Sequence, residues 1–142
     1  MQLTSQQAFQ LSVAFRDAAI AIGDMKIANF DKLSETQRDE LGKAELAALN
    51  ASTEMITRAV DLVLDETKVA LGQLVGVTRK AKAAVGTLND IRKGIRIATA
   101  VVGLAAAVVS RDLGAIGKGA KAVADEIDIK LGDLPVKIPG LG

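Results

Sequence analysis

The stretch IRIATAVVGLAAAVVSRDLGAIGKGAK, Ile95 to Lys121, decides how the chain is read. Fourteen residues, Ile97 to Ser110, carry no charge, and Arg111 and Asp112 then arrive side by side. In a helix fourteen residues span ~21 Å, short of the ~30 Å hydrocarbon core of a bilayer. Extending the segment to Gly117 reaches the needed length but places Arg111 and Asp112 well inside. Ala and Gly also outnumber Leu and Ile, which is not a lipid-facing composition. The stretch is therefore not a constitutive transmembrane helix. It is nonetheless apolar all round, since Ile97, Ala98, Val101, Val102, Leu104 and Val109 point in every direction. A helix of that kind must be surrounded: by its own bundle, by neighbouring subunits, or conditionally by membrane.

Upstream of it, a seven-residue register runs without a slip from Leu46 to Val109. One seam reads Leu46, Thr53, Val60, Thr67, Leu74, Ala81, Leu88, Ile95, Val102, Val109. Its partner reads Leu49, Ile56, Val63, Ala70, Val77, Ala84, Ile91, Ala98, Ala105. Such spacing favours left-handed helix pairing, and Leu64, Leu71 and Val85 widen the face to suit a bundle. As one rod these 64 residues would extend roughly 96 Å, which no compact monomer can cover. Either the chain folds back or other subunits cover it. Gly86, with Thr87 or Asn89 behind it, is the best place for a turn, although the register also fits one continuous helix. A minor break near LNAST, residues 49–53, is a further option.

At the N-terminal end, Thr4 and Gln7 are spaced as a capping box. Ala8, Leu11, Phe15, Ala18, Ile22 and Met25 follow at alternating steps of three and four, so a helix with one apolar stripe is expected to about Ala28. Ser34 and Gln37 form a second capping box, which starts a new helix near Glu35. At the other end Gly114, Gly117 and Gly119 each cost a helix about 1 kcal/mol relative to Ala, so a Gly-rich turn and short helix are expected over 113–125. The tail EIDIKLGDLPVKIPGLG then changes period: Ile127, Ile129 and Leu131 alternate with Asp128 and Lys130, and Val136 and Ile138 flank Lys137. Residues 126–142 are read as extended, with a short strand, a turn and a second strand, and Pro135 and Pro139 bar a continuing helix.

The expected fold is all-α: a single helical domain over 1–142, built as an elongated bundle or coiled-coil-like hairpin. Its parts are an N-terminal helix (1–30), a long amphipathic helix (35–86), an apolar Ala/Gly/Val-rich helix (90–112), the Gly-rich segment (113–125) and the tail (126–142). A chain of 142 residues is long enough to bury a core. With three Phe and no Trp or Tyr, that core must pack by many small contacts between close helices.

The chemistry-bearing residues are few. There is no His and no Cys, so the commonest general base, the strongest nucleophile, disulfides and zinc-thiolate sites are all missing. The neighbouring carboxylates Asp39/Glu40, Asp65/Glu66 and Asp125/Glu126 do not share helix faces. Asp61 and Asp65 do, but beside Arg58 and Lys68, as ordinary ion pairs; Glu54–Arg58 and Asp39–Lys43 read the same way. GAIGKGAK is not a phosphate loop, because Asp112 stands where the first Gly belongs and Gly119 where Ser or Thr belongs. Asp125, Asp128 and Asp133 lack calcium-loop spacing. No enzyme activity, metal, cofactor or small-molecule substrate is expected. The net charge of +1 and the lack of stacking aromatics disfavour nucleic acid. MQLTSQQAFQ has neither a basic nor an apolar leader region, which points to a cytoplasmic protein or export by a signal-independent route, and leaves the Asn50-Ala51-Ser52 sequon without meaning.

Small residues four apart, at Gly72/Gly76, Gly103/Ala107 and Ala115/Gly119, predict close helix contacts, in lipid or, more often, in a soluble bundle. The helix-packing or oligomer seam is accordingly placed at Gly72, Leu74, Gly76, Leu88, Ile95, Val102, Gly103, Ala105, Ala107 and Val109, with Leu74, Leu88, Ile95 and Val102 among the most buried. A basic cluster, Arg79, Lys80, Lys82, Arg92, Lys93 and Arg96, precedes the uncharged segment with only Asp90 opposing it. On a continuous helix all but Lys80 fall within about 140° of arc. Charge runs are usually solvated faces, but a cationic flank beside an apolar stretch is also the composition of a segment that meets anionic lipid.

In pattern, long heptad helices with one apolar small-residue patch are similar to soluble α-helical pore-forming proteins. The Ala-rich, aromatic-poor amphipathic chain also resembles the phasins that coat storage granules. Neither likeness rests on a motif, and no residue role is carried over. The functional expectation is a non-catalytic, self-assembling homo-oligomer whose segment 95–110 is buried between subunits and is available to insert into or coat membrane. The alternative is a cytoplasmic structural or adaptor bundle that binds another helical protein.

Overall fold

The computed structural model describes residues 2–62, 64, 69–87 and 89–137. They form α1 (Ser5–Ala28), α2 (Glu35–Arg58), α3 (Leu71–Thr87), α4 (Ile91–Ser110) and α5 (Leu113–Glu126), with short 3-10 turns at Phe30–Lys32, Ala59–Asp61 and Leu131–Asp133. Both expected capping boxes are present. The Gln7 amide donates to Thr4 Oγ1 at 3.1 Å and the Gln37 amide to Ser34 Oγ at 3.1 Å, each reciprocated at 2.9 Å by the glutamine side chain. Each box satisfies two otherwise unpartnered amides at the start of a helix.

α1 buries the stripe read from its sequence, with Ala8, Leu11, Phe15, Ala18, Ile22 and Met25 all inside. It packs antiparallel on α2 and also lies against α3, while α4 lies against α2 and α5, and α5 reaches across to α3. The core therefore sits within a ring of helices rather than along one seam. Leu11, Phe15, Ile22, Leu41, Met55 and Leu74 are among its fully buried side chains.

Four expectations need correction. The long helix over 35–86 does not form: α2 stops at Arg58, and Leu62 turns extended. The Leu3 amide donates to the Leu62 carbonyl at 3.2 Å, and Leu62, Leu64 and Val69 are drawn into the core. Folding back covers an apolar stripe that a rod would have left in water. Val63, Thr67 and Leu88 of the expected register lie outside the described residues. No break occurs at 49–53, where α2 is continuous.

The expected turn near 86–90 separates α3 from α4, but its cap is Asp90, whose Oδ1 accepts from the Arg92 and Lys93 amides at 3.0 and 3.3 Å. The helices it joins do not pair as a coiled-coil hairpin. α3 rests mainly on α1, and α4 on α2 and α5.

The Gly-rich segment is a regular fourteen-residue helix, α5. Arg111 adopts a left-handed conformation (φ 56°) that ends α4, and Asp112 caps α5 by accepting the Ala115 amide at 3.1 Å. Ile116, Ala120 and Val123 are buried at helical spacing. Gly119 lets the two helices close: a Cβ there would sit 3.2 Å from the Leu104 Cα. The propensity penalty of glycine is offset by this approach.

The tail forms no strand among the described residues; Ile138 and Pro139 of the expected second strand lie outside them. Asp128 (φ 59°) turns the tail away from α5, and it then crosses α3. Gln73 Nε2 donates to the Leu131 carbonyl at 3.1 Å, and the Gly72 amide to the Val136 carbonyl at 2.9 Å. The period-two pattern is answered by packing instead of pairing: Ile127, Ile129, Leu131 and Leu134 lie against the core while Val136 is exposed.

Candidate interaction surfaces

The residues of the expected seam divide within the single chain. Gly72, Leu74, Ala105 and Ala107 are buried, Gly76, Ile95, Val102 and Val109 are half-buried, and Gly103 is exposed with nothing within 4 Å of where a Cβ would stand. Ile95 and Val102 are thus not among the most buried residues. The fully buried positions of α4 are Ile97, Ala98, Leu104 and Val108, with Val101 and Ala105 at 1% exposure. α4 is therefore one-sided, with Thr99, Gly103 and Ala106 facing outward. Its small side chains hide a periodicity that larger residues would have displayed.

The Gly72/Gly76 pair does not meet another helix. The tail runs over it, so that a Cβ on Gly72 would fall 2.6 Å from the Val136 carbonyl oxygen, and Gly76 faces the Leu134 side chain at 3.5 Å. Ala115/Gly119 is the pair that makes a close helix contact, through Gly119.

The basic cluster is also divided. The break between α3 and α4 removes the continuous helix that would have aligned it. Lys93 pairs with Asp128 at 3.0 Å and Arg96 with Glu126 at 3.3 Å, ties that hold α4 to the end of α5 and the start of the tail. Arg79 and Lys80 border the groove where Leu134 and Pro135 cross α3. Arg79, Lys80, Lys82 and Arg92 are exposed. The described acidic residues form no group able to hold a metal ion.

A different surface lies on α1 and α2. Leu46 and Ile56, read as seam positions, point outward at 59% and 45% exposure, with Leu49 half-buried between them. The inward stripe of α2 is instead Leu41, Ala48, Ser52 and Met55. Both stripes have heptad spacing, and tertiary contact selects between them. Ser52 presents its carbonyl to the Ser12 hydroxyl at 2.6 Å, a small-on-small contact that lets α1 approach.

α1 has an outward stripe of its own, in which Phe9 (48%), Ile20 (48%) and Ile27 (73%) are exposed. The two stripes border one seam. Ser12 and Gly23 face α2 from between the inward and outward residues of α1, and Ser52 and Glu45 face α1 from the corresponding place on α2. Their antiparallel register sets Phe9 at the level of Ile56 and Ile20 at the level of Leu46. Phe30 extends the face at one end, where Arg38 lies over its ring at 3.8 Å and donates to its carbonyl at 2.9 Å. Among the described residues these six are the large apolar side chains exposed on the α1–α2 pair and the turn joining it.

No protein-family model, curated protein or solved structure matches the chain.

Proposed function

We propose that this protein is a non-catalytic, self-assembling helical module whose copies join through the outward face of the α1–α2 pair. The observation that carries the reading is the set of large apolar side chains Phe9, Ile20, Ile27, Phe30, Leu46 and Ile56, exposed on the α1–α2 pair and its joining turn while the chain buries a core of its own. Scattered single apolar residues on a surface are ordinary, but several large ones gathered on one helix pair are characteristic of interaction sites. A second copy is the occupant that suits it. An antiparallel two-fold contact centred between Asn50 and Ser52 would set Leu46 against Ile56 and Leu49 against Thr53 of the neighbour, matching the face with itself as a closed dimer requires.

Light scattering coupled to size exclusion tests this. The expected result is a mass at a multiple of 14.7 kDa for the native chain, and a monomer with unchanged helicity for the Leu46→Glu, Ile56→Glu variant. A native monomer at tens of micromolar would overturn it.

A membrane role for segment 95–110 has one supporting observation: α4 is long and apolar enough to cross a bilayer. Insertion would have to withdraw Ile97, Leu104 and Val108 from the core, so this reading needs an opening of the bundle. Liposome flotation at neutral pH, without leakage or binding, would reject it.

A further inference from the structure

Between α5 and the tail that follows it lies a cleft of about 780 Å³, within the 300–1,000 Å³ range of sites that take small ligands. Its floor is the core itself: Val69 and Ala124 are buried core residues, and Ile129 and Leu131 lie half-buried against them. Gly114 and Gly117 on α5 put no side chain into the opening. The rim is cationic. Lys118 and Lys121, three residues apart, share one face of α5, and Lys130 comes from the tail. All three are exposed and none pairs with a described acid. The neighbouring carboxylates Glu126 and Asp128 are already held by Arg96 and Lys93, and among the described residues Asp125 is the one acid of the lining.

We propose that this cleft binds a single-chain amphiphilic anion of the fatty-acid type, independently of how copies assemble. The alkyl chain lies along Val69, Ala124, Ile129 and Leu131, and the carboxylate sits among the ammonium groups of Lys118, Lys121 and Lys130. An apolar floor explains affinity for a chain, and three cations facing one acid among the described lining residues explain the sign of the head group. A neutral or cationic amphiphile of equal length shares the first contribution and lacks the second.

Isothermal titration of the full chain with decanoate, decanol and decyltrimethylammonium tests this. Decanoate should bind at one site per chain, at least tenfold more tightly than the other two. The Lys118→Gln, Lys121→Gln, Lys130→Gln variant, whose exposed positions leave the fold and the circular dichroism melt unchanged, should lose that preference. The control Lys80→Gln, on α3 beside a different groove, should keep it. Three equal affinities, no binding of decanoate, or an unaltered preference in the triple variant would each overturn the proposal. So would a chain that sediments with phosphatidylglycerol vesicles but takes up no free decanoate, which would assign the lysines to a membrane surface instead.

Discussion

Two glycines inside helices separate packing from propensity. Gly103 lies in the interior of α4 and Gly119 in the interior of α5, so replacing either by Ala gains the same backbone advantage, about 1 kcal/mol. At Gly103 nothing stands within 4 Å of the new methyl group. Gly103→Ala should therefore stabilise the protein by about 1 kcal/mol, or roughly 3–4 °C in melting temperature for a domain of this size. At Gly119 the methyl would meet the Leu104 Cα at 3.2 Å, its Cδ1 at 3.3 Å and its Cβ at 3.4 Å, inside the ~3.5–4.0 Å of comfortable carbon contact. A backbone atom is among them, so α4 itself must shift, and overpacking of this kind costs about 1–3 kcal/mol. Because the propensity gain cancels between the two variants, Gly103→Ala should exceed Gly119→Ala by about that same 1–3 kcal/mol. Urea denaturation followed by far-ultraviolet circular dichroism measures it directly. A destabilised Gly103→Ala, with a midpoint that depends on protein concentration, would mean that the outer face of α4 packs on another chain. Equal midpoints for the two variants would refute the close approach of α4 and α5.

Gly72→Val should detach the tail from α3, because the side chain would occupy the space of the Val136 carbonyl; hydrogen exchange at residue 72 should accelerate while α1 and α2 keep their protection, and unchanged protection at residue 72 would refute the docking. Asp at two positions on α4 should act very differently. Ala105→Asp buries an unpaired charge and should cost at least about 3 kcal/mol, whereas Val102→Asp, on the half-buried side, should cost about 1 kcal/mol; similar losses in thermal melts would contradict the one-sided burial of α4.

Features that depend on residues a few places apart are legible in the chain before it folds. Thr4 with Gln7 and Ser34 with Gln37 start α1 and α2 where their spacing says, because a capping box closes within four residues. The buried stripe of α1 is legible because Ala8, Leu11, Phe15, Ala18, Ile22 and Met25 recur at steps of three and four with no charged residue among them. The all-helical class follows from the same local signals, which also mark 86–90 as the best place for a turn but leave one continuous helix open. The outward face was legible only in part: the heptad seam through Leu46, Leu49 and Ile56 is plainly written, but so is a second one through Leu41, Ala48 and Met55.

Long-range packing settled which of those two seams of α2 turned inward. The Ser12 hydroxyl meets the Ser52 carbonyl across forty residues of chain, and no pattern within α2 encodes that meeting. The same holds for Gly72, which reads as a helix-packing glycine and instead receives the tail, tied by the Gln73 side chain to Leu131 across fifty-eight residues. It holds also for α5, whose glycines argue against a helix until Leu104 of α4 is placed against Gly119. Capping and periodicity act within a turn or two of helix, and the sequence records them. Which apolar face is covered depends on the area that each arrangement of the whole chain removes from water, and only the folded chain carries out that comparison.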